Sequence, residues 1–166
     1  QAYTLGAFAR ARGAEEAALS ALDCRLLLAR ELENYTHLFA DQDALALAEE
    51  FLELFEQLSA QTPELAQDEA AFVARIERAY RARLSGISQE ARLVHTLWRA
   101  FLQQTEGRSP AVAQLRALRR AFAGLGADEH LYLVGFDEFS AAEAAVVRSA
   151  LEAGRTQLIL QGRREG

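Results

Sequence analysis

Two short apolar runs near the carboxyl end, with one helical signature between them, constrain this chain more than anything else in it. His130-Leu-Tyr-Leu-Val-Gly135 is rich in strand formers and has no helical period, the pattern of a strand buried in a parallel sheet. Ser140 and Glu143 then have the spacing of a capping box for a helix over Ala141 to Ala153, which Gly154 closes. Thr156-Gln-Leu-Ile-Leu-Gln161 reads as a second strand. Strand, helix and strand within about thirty residues make one β-α-β unit, expected to be right-handed. Two parallel strands leave edges and a face uncovered. The expectation is therefore half of a doubly wound sheet whose remaining strands lie elsewhere. The absence of Met, even at position 1, adds the expectation that the chain is an internal piece of a larger protein.

Helical periodicity fills the residues before this unit. Thr4 is the predicted cap of a helix over Leu5 to Arg12, closed by Gly13. Ser20 with Asp23 opens a second helix, with Leu22, Leu26, Ala29 and either Leu32 or Glu33 on its buried stripe. Asp41 or Asp43 caps a third, which buries Leu45, Ala48, Leu52, Phe55 and Leu58 and turns Glu49, Glu50, Glu53 and Glu56 outward. Thr62-Pro63-Glu64 marks a break or a helix start. A helix from Asp68 to Leu84 carries Phe72, Ile76, Ala79 and Tyr80, and Gly86 ends it. Ser88 caps the next, with Ala91, Val94, Leu97, Trp98, Phe101 and Leu102 inward and Gly107 as its stop. Ser109-Pro110 opens a last helix that ends at Gly124 and Gly126. The fold class expected is mainly α, a helical bundle followed by a C-terminal β-α-β unit. It divides into residues 1–18, 19–124 and 125–166.

Composition excludes several functions. All 18 basic residues are Arg, so the Lys that a P-loop needs to reach phosphates is absent, and no GxxxxGK[ST] run occurs. The three His have no metal-ligand spacing, and no metal site is expected within the chain. His95 and Trp98 fall on or beside an apolar stripe and read as core. Cys24, the one Cys, has no partner for a disulfide and suggests a reduced, cytoplasmic protein. No apolar run approaches a membrane span, so no membrane partner is expected. A net charge of −6 argues against wholesale binding of nucleic acid and leaves local basic faces open.

Chemistry has few places to sit. Asp137 and Glu138 follow the first predicted strand, at the sheet edge where α/β proteins put ligands. In nucleotide hydrolases such an Asp holds Mg²⁺ and the following Glu orients water. The alternative is a pair of solvated turn residues before a capped helix. Arg75, Arg78 and Arg81 recur at helical spacing, and Arg116, Arg119 and Arg120 form a second group. Each set is either a phosphate-contacting face or an ordinary solvated helix surface.

The order YTLGAFARA, LSALDCRLLLAREL, LALAEEFLELFEQLS, LVHTLWRAFLQQ and HLYLVGFDEFSAAEAAVVRSAL resembles the N-terminal helicase-like region of AddB-type subunits of helicase–nuclease complexes and related bacterial DNA repair exonucleases. The likeness spans essentially the whole chain. It implies that 1–18 follows an upstream sheet strand, that 19–124 is similar to a 1B-type helical insertion, and that 125–166 is part of a P-loop helicase-like sheet. It implies a Walker B-like position for Asp137 and Glu138, although Gly135-Phe136 intervenes where an active helicase runs directly into Asp-Glu. It also implies DNA contacts through Thr4 and the two Arg groups. The expected partners are single-stranded or duplex-end DNA and a helicase subunit. ATP and Mg²⁺ are candidate cofactors of the parent protein, with none in this chain. The alternative expectation is a helical scaffold whose acidic helices dock a partner subunit without touching DNA.

Overall fold

A computed structural model describes residues 4–14, 17–35, 39, 43–80, 85–136 and 138–159. The described chain is mainly helical, with a small parallel sheet near the carboxyl end. The helices are α1 (Leu5–Ala11), α2 (Ala21–Leu32), α3 (Ala44–Gln61), α4 (Glu69–Ala79), α5 (Ser85–Gln104), α6 (Pro110–Ala123) and α7 (Ala141–Glu152). The strands are β1 (Leu131–Val134) and β2 (Thr156–Ile159), and 3₁₀ turns occupy Glu33–Tyr35 and Pro63–Gln67. No helix among the described residues is long and apolar enough to cross a membrane.

Packing divides the chain into two compact units, Ala17–Val112 and Gln1–Glu16 with Ala113–Gly166. This differs from the division at 124 that the sequence suggested. Ala113 and Ala117 are small, buried positions on α6, and the helix packs Ala117, Leu118, Ala121 and Phe122 into the same core as Leu133 of β1 and Val146 of α7. α1 joins that core through Leu5, Phe8 and Ala9.

In the helical unit α2 packs on α3 and α4 on α5. Fully buried Trp98 lies at the centre, 6.0 Å from Phe72 by ring centroids, and its indole N–H donates to Ser59 Oγ at 3.3 Å. His95 is buried beside it, with Nε2 3.0 Å from the Leu65 carbonyl. That oxygen can only accept, so Nε2 carries the proton. Burying rings of this size contributes on the order of 2–3 kcal/mol each.

Five expectations for this unit are corrected. α2 buries Cys24, Leu28 and Leu32, while Leu22 and Leu26 are 54% and 50% exposed. The helix is apolar on most of its circumference, so contact with α3, not periodicity, selects the face. Leu45 on α3 is likewise exposed. α4 ends at Ala79, with Tyr80 as its 68%-exposed C-cap, and Gly86 lies in the first turn of α5 instead of ending a helix. A Gly in a first turn gives up little, because the N–H groups there have no intrahelical acceptor. Ser88 consequently sits inside α5 and bonds Glu77 Oε1 at 2.5 Å.

In the other unit β1 and β2 pair in parallel register, Leu131 with Thr156 through Val134 with Ile159. α7 connects them. Ser140 accepts from the Glu143 N–H and Glu143 returns to the Ser140 N–H at 3.0 Å, the capping box read from the sequence. Leu133 and Thr156 are buried, whereas Tyr132, Val134 and Ile159 are exposed. β1 is thus covered on one face only, a correction to the fully buried strand expected. Alternation along a pleated strand puts Tyr132 and Val134 on the face away from Leu133.

Candidate functional site

The sheet's carboxyl edge is built by the segment that leaves β1. Gly135 adopts φ +74°, a left-handed conformation that side chains disfavour, and turns the chain off the strand. Phe136 and Phe139 then stack at 5.3 Å with an interplanar angle of 18°, and both pack against the core of this unit. Between them Glu138 is exposed. Asp137 lies outside the described residues. The stacked rings hold the turn and Glu143 is engaged in the α7 cap, so Glu138 is the described carboxylate of this segment left to solvent. Mg²⁺ is commonly held by one or two carboxylates together with phosphate oxygens, a demand that Glu138 meets in type. Among the described residues no group of three His, Cys, Asp or Glu converges.

Thr4, expected to touch DNA, is an exposed N-cap whose Oγ1 accepts from the Ala7 N–H at 3.1 Å. Its hydroxyl is used by α1. Arg75 and Arg78 are exposed one turn apart on α4 and make no hydrogen bond or ion pair among the described residues. Arg81 lies outside the described residues. Arg116, Arg119 and Arg120 are all exposed on α6 but do not act as one row. Arg116 and Arg120 have partners, whereas Arg119 lines a groove beside α7. The two Arg groups belong to different compact units, α4 to one and this part of α6 to the other.

Sequence reasoning passed over two further arginines. Arg12 grips Glu129 with both arms, at 2.7 and 3.0 Å, and also donates to the Gly124 carbonyl at 2.5 Å. The arginine's hydrogen bond and the Gly126 N–H hold the Glu129 carboxyl below its usual range, and Arg12 is raised in return. Arg155 donates from Nη1 to the Leu125 carbonyl at 2.6 Å. Both clamp the loop that feeds β1. Bidentate spacing over more than a hundred residues leaves no local signal in a sequence.

Cys24 is fully buried, and its thiol is pushed up to about 11 by desolvation, then by the charges of Glu56 and Asp23. It stays protonated at neutral pH and is no nucleophile. Comparison with protein-family profiles, with curated proteins and with solved structures finds no match for this chain. Fold and site together define a mainly α chain with a C-terminal parallel β-α-β unit, a solvent-facing acid at the sheet's carboxyl edge and an arginine pair on α4 without a partner among the described residues.

Proposed function

We propose that this chain is a DNA-handling element of a protein that processes broken duplex ends, of the AddB-like helicase–nuclease kind. The observation behind the reading is the pair Arg75 and Arg78. Acidic residues outnumber basic ones by 24 to 18, yet these two guanidinium groups have no carboxylate partner among the described residues. A phosphate backbone would meet them without displacing an internal ion pair, in contacts that are independent of base sequence and sensitive to salt. The run of helices followed by strand, GFDEFS turn, helix and strand supports the same reading. Without a Lys or a P-loop the chain does not turn over ATP by itself, and ATP and Mg²⁺ belong to the proposed parent. A lone buried thiol and a DNA substrate go with a cytoplasmic setting.

Fluorescence anisotropy with a labelled single strand and with a free-ended duplex tests this. Binding is expected at low salt and should weaken as salt rises. Replacing Arg75 and Arg78 by Ala should lower the steepness of the log–log salt dependence by about 1 to 2. No binding at low salt would overturn the proposal, and sustained ATP hydrolysis would overturn the inactivity claim.

A second reading, a scaffold that docks a partner subunit, is favoured by Leu22 and Leu26 on α2 and Leu45 on α3, three leucines left exposed on packed helices. An Arg75→Ala/Arg78→Ala variant that loses nothing in the DNA titration would favour the scaffold.

A further inference from the structure

A groove of about 630 Å³ lies in the C-terminal unit between α6, α7 and the start of β2. Its volume is within the roughly 300–1,000 Å³ of clefts that take small organic ligands. Phe122, Val146 and Ala150 give it an apolar lining, and among the described residues no acidic one lines it. Two guanidinium groups do. Arg119 makes no hydrogen bond or ion pair among the described residues. Arg155 is fixed by one N–H on the Leu125 carbonyl and keeps its other donors. Thr156, also in the lining, is 3% exposed, with its Oγ1 sealed from the groove.

We infer that this groove binds a small amphipathic oxyanion, an apolar body carrying one carboxylate or phosphate. The body lies against Phe122, Val146 and Ala150. The head takes charge-assisted hydrogen bonds from Arg119 and Arg155. The groove opens at the amino end of β2, whereas the GFDEFS turn leaves the carboxyl end of β1, and Arg75 and Arg78 belong to the other unit. The inference therefore stands apart from the proposed DNA contacts.

Titrating the ¹⁵N-labelled chain with octanoate, octyl phosphate, inorganic phosphate and octanol tests it. Both amphiphiles should produce saturable shifts at the amides of Val146, Ala150 and Thr156. Phosphate alone and octanol alone should bind about tenfold more weakly or worse. Tighter binding of octyl phosphate than of octanoate assigns a phosphate ester as the natural head, and the reverse order assigns a carboxylate. Arg119→Gln removes an exposed charge that has no partner among the described residues, so this variant should keep the fold while weakening the amphiphiles several-fold. Absence of saturable shifts, octanol binding as well as octanoate, or undiminished affinity in Arg119→Gln would each overturn the inference.

Discussion

Cys24 shows how much a single side chain depends on what surrounds it. Its thiol is sealed from water and faces the negative charges of Glu56 and Asp23, so the thiolate is disfavoured in the folded state. The folded value of about 11 lies above the ordinary thiol value of roughly 8.5. The folded chain therefore holds this proton more tightly than the unfolded chain. The resulting stability is complete below about pH 8.5 and is lost as pH rises through 11. Urea denaturation near pH 10 should show the native chain losing on the order of 1 kcal/mol more, relative to pH 7, than a Cys24→Ala variant loses. Identical pH profiles would mean the thiol is not desolvated. Alkylation by iodoacetamide at neutral pH should likewise wait for unfolding.

Helix starts divide into those a local pattern encodes and those that tertiary structure supplies. The boxes Ser20–Asp23 and Ser140–Glu143 are both present as read, because donor and acceptor lie three residues apart and need no partner from elsewhere. Ser109 fails the same test. Its Oγ is buried without a hydrogen bond among the described residues, and the Ala111 N–H goes instead to Glu56 Oε2 at 2.6 Å, from α3. The sequence assigned Glu56 to a solvated acidic face, since nothing within a turn of it shows that it meets the amino end of α6. A carboxylate there also opposes the positive end of the helix dipole. Glu56→Ala should therefore cost about 1–2 kcal/mol by urea denaturation, while Ser109→Ala should stay within about 0.5 kcal/mol. The opposite ranking would return the cap to Ser109. The stripe of α2 was illegible for a related reason: Leu22 and Leu26 are as apolar as Leu28 and Leu32, and only the position of α3 separates them.

At the scale of the molecule, element type was legible and allegiance was not. Among the described residues the helices fall where the period points, with α4 cut short and α5 starting ahead of its expected cap, and both strands form where the period changes. Yet α6, whose Arg and Leu pattern looks like that of its predecessors, shares its core with the sheet through Leu118 and Phe122, because membership of a core is decided by contacts distant in sequence. The two cores have no residue in common: Cys24, Phe55, Phe72 and Trp98 belong to one, and Phe8, Phe122, Leu133 and Val147 to the other. Residues 17–112 moreover keep their own ties, including the Leu19 N–H on the Arg108 carbonyl at 2.8 Å and Gln104 on Glu31 at 2.6 Å. A segment with its own core meets the main physical requirement for folding alone. Residues 17–112 expressed by themselves should thus unfold cooperatively. Trp98, the chain's one Trp and fully buried, reports on that unit directly. Its fluorescence in the isolated segment should resist acrylamide quenching until the urea transition and then lose that protection in a single step. Trp98 quenched freely from the outset would show that the helical core needs the rest of the chain, and the division at residue 112 would lose its energetic meaning.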